Sequence, residues 1–367
     1  MSCHVPPIDL TRDDGVRYDV VAIGNALVDV IAAVEDQFLD VEQVVKGSMT
    51  LVDADRSAHL YSRITQPTQT SGGSAANTAY GLASLGGRAG FIGKIAEDDL
   101  GRVFGNDMKT VGVGFHPGVT STTEPTGRCI IAVTPDGQRS MSTFLGAASL
   151  LDPADISRDA VAASAVLFLE GYLFDRDQAK EAFRIASKYA HEAGRKVSLT
   201  LSDSFCVDRH RNDFMALIKN DIDILFCNEL ELQSLYQTNS YEEALGKLRH
   251  DCEFGAVTRD KRGSVVINGD DVVHIEPEPV DQVVDATGAG DMYAAGFLFG
   301  FTRGMKIEDC GRLGSLSASE VITHVGPRPL VQLSSLIPNL LRLYAWQLIR
   351  TTTSLFLARQ FVMPSTT

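Results

Sequence analysis

Residues 283–297 read VVDATGAGDMYAAGF, and their centre places a run of small residues directly in front of an apolar, alanine-rich stretch. Such a run predicts a tight turn that opens a helix from about Gly288 to Gly300. The first turn of a helix exposes unpaired N–H groups and the positive end of the helix dipole. Because no side chain shields them, we expect three backbone amides to cradle a phosphoryl group. They are those of Gly288, Ala289 and Gly290.

The same turn contains an acid, Asp291, which would repel an anion and so serves another purpose. A carboxylate near a positive helix end stays ionised and can accept the proton of an attacking hydroxyl. An anion cradle beside a base is the minimum apparatus for phosphoryl transfer to an alcohol. A structural interpretation stays open, in which Thr287 or Asp285 caps the helix and Asp291 only favours its dipole, at about 1 kcal/mol.

The composition describes an acidic globular protein, with 367 residues, 44% hydrophobic content, a net charge of −14 and a pI near 5.0. This charge argues against a nucleic-acid partner or an anionic membrane surface, because both require an electropositive face. The six cysteines form no CxxC pair, which favours reduced thiols and a cytoplasmic location. We expect residues 1–17 to be a flexible lead-in without a secretory signal. We expect no membrane span, because no window offers about 18 uncharged apolar residues.

Strand-like and helix-like segments alternate through the middle of the chain. Apolar strands are predicted at residues 165–171, 196–203 and 223–229, and amphipathic helices at residues 176–193 and 211–219. This alternation predicts an α/β fold whose mostly parallel sheet is covered by helices on both faces. The segments GSMTLVD and CIIAVTPDGQRSMSTF predict a smaller accessory sheet, the second as a hairpin that turns at PDG.

Two polar residues near the amino terminus are placed where open α/β sheets bind ligands. The segment DVVAIGNALVD, residues 19–29, predicts a buried strand that ends at Gly24 and Asn25. Asn25 and Asp29 then lie beyond its carboxyl end, which is the ligand-binding edge of such sheets. A second glycine cluster, Gly72-Gly73, precedes a helix of small residues and allows close approach of a ligand or backbone.

The glycine motifs exclude two other nucleotide-binding classes. No GxxxxGK[ST] sequence occurs, and GAGDMY has Tyr293 where the dinucleotide motif requires a small residue. The chain instead resembles the ribokinase-like (PfkB) family of carbohydrate and nucleoside kinases over about residues 18–330. VDATGAGDMYAAGF resembles the family's C-terminal signature, and GGSAANTAYGLASLG resembles its N-terminal one. CNELE resembles the NxxE element, and GPRP resembles the closing segment.

The resemblance implies a three-layer α/β/α ribokinase-like domain over residues 18–335. Its small β-sheet lid would come from about residues 30–55 and 115–146. The implied activity is ATP-dependent phosphorylation of a hydroxymethyl group, with Mg²⁺ and a monovalent cation such as K⁺. Residues 336–367 do not match the family pattern and carry no acidic residue. This tail is interpreted either as a basic amphipathic helix that docks on a partner or membrane, or as a packed or poorly ordered end segment.

Carried over by position, the resemblance assigns roles to individual residues. Asp291 is the base, and the amides of Gly288, Ala289 and Gly290 form the anion hole. The acceptor is expected to contact Asn25, Asp29, Gly72, Gly73, Asn77 and Arg139. The nucleotide and its phosphates are expected near Asn228, Glu231, Thr258, Arg259, Thr287 and Ser319, with Ser264 and Ala318 as looser matches. Glu231 would act on Mg²⁺ through water, and Asp285 would serve a monovalent cation.

Each of these assignments has a structural alternative. Asn228 and Glu231 are spaced as the two halves of a capping box at an ordinary helix start. Asp29 is a residue type common in turns and caps. Arg139 lies on the predicted hairpin, where an exposed arginine needs no function.

The opening YDVVAIGNALVDV, the GGSAANTA turn and SDSFCVDRHR together resemble the adenosine kinase branch, which predicts a nucleoside acceptor phosphorylated on its 5′-hydroxyl. A nucleoside base needs an apolar clamp, for which four residues are candidates. They are Met141, Phe144, Tyr172 and Phe174. A kinase of a free sugar, such as ribose or fructose, is the alternative substrate class. A binding regulator without turnover is the alternative of another class, and both a monomer and a homodimer are compatible with the sequence.

Overall fold

The structure is a computed structural model that describes residues 15–118 and 124–337. Residues 1–14 of the predicted lead-in and the predicted tail from residue 338 onward lie outside the described residues. In chain order the strands are β1 (Tyr18–Ile23), β2 (Leu27–Ala33), β3 (Met49–Leu51), β4 (Thr68–Gly72), β5 (Ala89–Gly93), β6 (Gly114–Pro117), β7 (Thr126–Val133), β8 (Arg139–Gly146), β9 (Ser164–Glu170), β10 (Lys196–Thr200), β11 (Ile224–Asn228), β12 (Phe254–Thr258), β13 (Ser264–Asn268) and β14 (Asp271–Ile275).

The helices of the described part follow the same order. They are α1 (Asp36–Val41), α2 (Ala54–Arg63), α3 (Ser74–Ser84), α4 (Asp99–Thr110), α5 (Arg158–Ala162), α6 (Asp177–Glu192), α7 (Ser204–Asp221), α8 (Glu229–Tyr236), α9 (Tyr241–Asp251), α10 (Ala289–Phe301) and α11 (Ile307–Val321). Within the described ranges, none of these helices has the length and apolar character needed to cross a bilayer.

The large sheet has the strand order β14-β13-β12-β11-β10-β9-β1-β5-β6. Seven neighbouring strands of this order are parallel to one another: β12, β11, β10, β9, β1, β5 and β6. At the other edge, β13 and β14 extend the sheet as antiparallel strands. Parallel strands need crossover connections, and helices supply them on both faces. The predicted α/β class with a mostly parallel sheet is confirmed.

Alternate residues of each central strand enter two separate cores, because successive side chains of a strand point to opposite faces. Phe168 of β9 and Phe226 of β11 pack on the face covered by α3, α4, α10 and α11. Leu167 and Leu225 pack on the other face, against α5 to α9. The sheet is therefore the middle of three layers, and its carboxyl edge is left for the site.

The small sheet has the strand order β3-β8-β7-β2-β4. We expected it from residues 30–55 and 115–146, but its extent differs at two points. Gly114–Pro117 pairs in parallel with β5 and so belongs to the large sheet. Thr68–Gly72, which we did not assign to the lid, pairs with β2. Neither segment has a strong periodic pattern of its own, so tertiary pairing decides its sheet.

The strand predicted to end at Gly24 and Asn25 is β1, and a second strand that we did not predict, β2, follows it from Leu27. β1 pairs with β5 and β9 in the large sheet, whereas β2 pairs with β4 and β7 in the lid. Asn25 therefore lies beyond the carboxyl end of β1, as expected, but Asp29 lies within a lid strand. The predicted helix 211–219 is also longer than expected, because Asp203 caps α7 by accepting a hydrogen bond from the Cys206 amide.

Helices α10 and α11 pack so closely that a glycine is required between them. A Cβ atom added at Gly296 would lie 2.3 Å from the Leu313 carbonyl oxygen, a distance that would force the helices apart. Gly246 of α9 offers a matched control, since a Cβ atom there would meet nothing within 4 Å.

We expect G296A to lower the free energy of unfolding by about 1–3 kcal/mol through overpacking. G246A should raise it by up to about 1 kcal/mol, because alanine restricts the unfolded chain more than glycine does. Urea unfolding at one pH measures both changes. Equal stability of the two variants would show that the helix pair has no tight contact at Gly296.

Candidate active site

The acid of the glycine turn lies at the start of α10 and faces the start of α3. One carboxylate oxygen of Asp291 accepts a hydrogen bond from the Ser74 hydroxyl at 2.6 Å, and the other accepts from the Asn77 side-chain amide at 3.1 Å. Removal from water raises the Asp291 pKa to about 6, against the effect of these two donors. The group is thus oriented, ionised near neutral pH and basic enough to take a proton.

The amides of the predicted anion hole differ in availability. Gly288 is the N-cap of α10 with φ of 81°, and no side chain caps this helix, so the capping alternative for Thr287 and Asp285 is wrong. The Ala289 amide donates to the Ala286 carbonyl at 3.2 Å, which makes it part of the turn. Gly290 is exposed, and a Cβ atom there would meet nothing within 4 Å. The opening of the cradle is therefore at Gly290, in line with the helix dipole.

Asp29 is a buried carboxylate with few neighbours to stabilise its charge. Burial raises its pKa to about 6, although the positive charges of Arg328 and Arg139 oppose the shift. Gly72 lies against it so closely that a Cβ atom would come within 2.4 Å of the carboxylate. No hydrogen-bond donor to this carboxylate is found among the described residues, so its oxygens are open to the hydroxyls of a ligand.

Asn25 is held by an acid that we did not identify from the sequence, Glu170 at the end of β9. The Glu170 carboxylate accepts hydrogen bonds from the Asn25 side-chain amide at 2.8 Å and from the Ala75 backbone amide at 2.8 Å. Burial raises its pKa to about 7. The Asn25 side-chain oxygen is buried and finds no donor in the described part of the chain. Such an orphaned acceptor fits a hydroxyl group of a bound molecule.

A cleft of about 510 Å³ lies between the lid and the large sheet. Its walls are largely apolar and aromatic, with contributions from Leu51, Phe144, Leu150, Tyr172 and Leu173, and Asn25 belongs to the same lining. Of the predicted clamp residues, Phe144 and Tyr172 therefore line the cleft.

Phe174 is not a clamp residue. It is fully buried and stacks on Phe214 with ring centroids 4.1 Å apart, so it belongs to the core. Met141 lies on β8 beside Met49 of the neighbouring lid strand β3 and does not line this cleft. The sequence does not show whether an aromatic residue near a strand end faces the cleft or the core, because that depends on the position of the neighbouring helix.

Arg139 is buried rather than exposed on its hairpin, so the alternative of a surface charge is wrong. It forms an ion pair with Asp285, and two of its nitrogens, Nε and one Nη, are buried without an acceptor among the described residues. Asp285 also accepts hydrogen bonds from the backbone amide and the hydroxyl of Thr287 and from the Gly326 amide. Burial would raise its pKa, but these donors and Arg139 lower it to about 2. Four donors use both oxygens fully, so a monovalent cation on this side chain does not fit the arrangement.

The Asn228 and Glu231 pair forms the capping box that was the structural alternative. The Asn228 side chain accepts from the Glu231 amide at 2.8 Å, and the Glu231 carboxylate accepts from the Asn228 backbone and side-chain amides. Burial raises the Glu231 pKa to about 7. The described residues contain no group of three His, Cys, Asp or Glu side chains that could hold a metal ion. A role toward Mg²⁺ therefore stays a prediction and would run through water.

The remaining predicted nucleotide residues lie on several elements. Arg259 pairs with Glu229 at 2.9 Å and covers the Tyr241 ring, so its side chain is already engaged. Thr258 ends β12, and the Ser264 hydroxyl bonds to the Tyr293 hydroxyl in the core. Ser319 and Ala318 lie on α11, where the Ser319 hydroxyl donates to the Leu316 carbonyl.

Sequence reasoning missed three residues that contact the predicted site residues: Ser74, Glu170 and Arg328. Ser74 follows the Gly72-Gly73 turn, where a small polar residue at a helix start was a usable signal. Arg328 donates to the Asn77 side-chain oxygen at 3.2 Å, and it stands in the GPRP segment that we had noted only as a closing motif. Glu170 ends an apolar strand and gave no local signal.

Residues 18–332 match the family described as pfkB family carbohydrate kinase. The chain belongs to this family. PfkB kinases are phosphotransferases that act on hydroxyl groups, and the chain is accordingly a sugar or nucleoside kinase that uses ATP. The predicted recognition and enzyme class are confirmed.

Relatives of the chain include proteins with different acceptors. The crystal structure of adenosine kinase from Sinorhizobium meliloti is 49% identical with a TM-score of 0.79, covering 87% of this chain and 98% of that one. The structure of a probable sugar kinase from Rhizobium etli CFN 42 is 46% identical with a TM-score of 0.80, covering 88% and 98%. The 5-dehydro-2-deoxygluconokinase of Bacillus subtilis is 27% identical, with 85% of this chain and 92% of the relative covered.

The buried Asp29 charge predicts a pH-dependent cost in stability. Its pKa is raised from 3.8 in the unfolded chain to about 6 in the folded protein, so the folded state binds the proton more tightly. This stabilisation of the folded state is complete below pH 3.8 and is lost as the pH rises through 6. We expect D29N to raise the free energy of unfolding by up to about 3 kcal/mol at pH 8, with a gain that shrinks toward pH 4. Urea unfolding at a series of pH values measures this.

The control is D281N, at an exposed acid, which should leave stability unchanged at every pH. A D29N gain that does not vary with pH would contradict the assignment of a buried ionised carboxylate.

Proposed function

We propose that this PfkB kinase transfers the γ-phosphoryl group of ATP to the 5′-hydroxyl of a nucleoside, with adenosine as the preferred acceptor. The observation that carries the proposal is the combination of an open amide cradle at Gly290 and the oriented base Asp291 in one helix turn. The apolar cleft between lid and sheet is lined by Asn25 of the proposed acceptor site and offers space for a base.

The acceptor would be held by its ribose hydroxyls. Asp29 offers two carboxylate oxygens without donors, and Asn25 offers a buried oxygen, so both can accept hydrogen bonds from a diol. Gly72 and Gly73 allow the turn before α3 to approach the acceptor residues closely, since side chains at these positions would collide with Asp29 and with the Asn25 backbone. An acceptor without these hydroxyls would leave buried acceptors unpaired and bind weakly.

In the transfer, Asp291 takes the proton of the acceptor hydroxyl while that oxygen forms a bond to the γ-phosphorus and the bond to ADP breaks. The free amides at the start of α10, with Gly290 at the opening, stabilise the charge on the migrating phosphoryl group. The unpaired nitrogens of Arg139 can do the same from the lid. A bound Mg²⁺ would neutralise phosphate charge, and Glu231 with Asn228 would hold its waters.

The charge of the cleft favours a neutral acceptor over a sugar acid. Among the described residues, its lining contains the acids Asp53, Glu124 and Asp175 and one cationic side chain, Arg176. A gluconate, the acceptor type in the name of the Bacillus subtilis relative, would carry its own negative charge into this setting. A neutral free sugar is the second candidate, because it would satisfy Asp29 and Asn25 without filling the apolar walls.

The base assignment is tested by D291N, which keeps the size of the side chain but removes its basicity. We expect kcat to fall at least about 100-fold while acceptor binding by calorimetry changes little, since the lost step is proton transfer. D309N, at a buried acid in the first turn of α11, is the matched control and should retain turnover. Unchanged kcat in D291N would remove the assignment of Asp291 as the base, whereas absence of turnover in the parent protein would favour the non-catalytic regulator.

The acceptor is tested by ADP production across adenosine, guanosine, inosine, cytidine, ribose, fructose and 5-dehydro-2-deoxygluconate. We expect the highest kcat/KM with adenosine, and at least about tenfold less with ribose, because the apolar cleft adds binding energy only through a base. Turnover of a free sugar without turnover of adenosine would overturn the nucleoside proposal and leave the kinase assignment in place.

A further inference from the structure

One side chain joins the base, the lid and the end of the described chain. Arg328 follows α11 in the GPRP segment, and its guanidinium is mostly buried. Its Nε donates to the Asn77 side-chain oxygen at 3.2 Å, one Nη donates to Asp107 at 2.8 Å, and the other donates to the Ser71 hydroxyl at 2.7 Å. The guanidinium also lies over the Tyr80 ring at 4.5 Å. All three nitrogens are thus engaged, and the plane of the group is fixed.

The contact with Asn77 decides which way the amide of that residue points. Arginine has only donors, so the atom of Asn77 that faces Arg328 has to be the carbonyl oxygen. The amide nitrogen is then turned to the opposite side, where it donates to Asp291 at 3.1 Å. A reversed amide would place two donors against each other at Arg328 and an acceptor against the Asp291 carboxylate. Arg328 therefore fixes the hydrogen bond that orients the base.

The other contacts of Arg328 hold the lid strand next to the acceptor acid. Asp107 of α4 accepts from both the backbone amide and the hydroxyl of Ser71, at 2.8 and 2.5 Å. Ser71 lies in β4 directly before Gly72, whose backbone lies against the Asp29 carboxylate. β4 pairs in turn with β2, which carries Asp29. The Arg328–Asp107–Ser71 group thus positions the strand against which Asp29 rests.

The charge of Arg328 acts on both acids of the site. It lowers the pKa of Asp29 and of Asp291, and it opposes the Asp29 charge, which raises the pKa of Asp291. Asp291 otherwise faces the donors Ser74 and Asn77 of α3, and the acids Glu170 of β9 and Asp29 of β2. Tyr172 of the cleft wall is also within its electrostatic range. Removing the cation takes away a positive charge that stabilises the ionised form of Asp291.

We propose that Arg328 is a positioning residue of the kinase reaction, which sets the orientation of Asp291 through Asn77 and holds lid strand β4 through Ser71 and Asp107. The inference rests on the proposed function, because it names Asp291 as the base. It assigns to the GPRP segment a role in the chemistry of the site rather than in closing the fold alone.

The test compares R328Q and R328K with a matched control, R303Q. Arg303 is likewise partly buried, pairs with the buried acid Asp19 and covers an aromatic ring, Phe299. It lies at the opposite end of α10 from Asp291. R303Q should therefore remove a similar ion pair and ring contact without changing the active site. We expect its kcat to stay within about twofold of the parent protein and its pH profile to be unchanged.

R328Q should lower kcat at least about tenfold, because a base displaced from its working position loses most of its effect. The acid limb of its kcat/KM profile should move to higher pH, since loss of the cation raises the Asp291 pKa. R328K should restore the position of the acid limb but not the full kcat, because an ammonium supplies charge without three fixed donors. If R328Q does not fold, the proposal is decided by R328K, whose kcat should be lower than that of the parent protein while its acid limb is unchanged.

A carboxylate titration of Asp291 by carbon-detected NMR, assigned by the signal lost in D291N, supplies a readout that needs no turnover. Its pKa should be higher in R328Q than in R303Q and the parent protein. Absence of any kinase activity in the parent protein would refute the proposed function, while the titration would still decide the link between Arg328 and Asp291. Equal losses in R328Q and R303Q, or an unmoved acid limb and an unmoved titration, would overturn the positioning role.

Discussion

The meeting of two helix starts, α3 and α10, is the constraint on which the site depends. Ser74 and Asn77 donate to the two oxygens of Asp291 across more than 200 residues of sequence, at 2.6 and 3.1 Å. Both helix starts bring positive dipole ends to one point, which allows an acid to remain there largely removed from water. Gly81 permits the close packing behind this contact, because a Cβ atom there would lie 2.7 Å from the Met292 sulfur.

The site concentrates buried acids that oppose folding. Burial raises the pKa of Asp29 and Asp291 to about 6 and that of Glu170 to about 7, so ionising each of them costs more free energy in the folded protein than in the unfolded chain. The fold tolerates these acids because the packing of the surrounding sheet and helices offsets their unfavourable free energy. Their partners differ in a way that matches the proposed tasks. Glu170 is saturated by amides and positions Asn25, whereas Asp29 has open oxygens that suit a ligand.

The passage of the chain from β1 of the large sheet to β2 of the lid explains how the acceptor acid comes near the base. The chain leaves the large sheet after Ile23 and enters the lid at Leu27, so Asn25 lies at the passage between the two sheets. A lid movement would shift Asp29 with β2 and leave Asn25 near its Glu170 anchor. Arg328 bridges the same boundary from the other side, through Asn77 and Ser71.

The sequence by itself determined the layered α/β fold, the helix that begins after Gly288 and the family, because periodicity and glycine-rich turns are local signals. It also indicated Asp291, whose acid stands beside small residues in one short segment. Only the tertiary structure decided that Asp29 belongs to the lid, that Phe174 is core, that Arg139 is buried against Asp285, and that Glu170 and Arg328 join the site. These depend on contacts between residues far apart in the chain, whose partners no local pattern specifies.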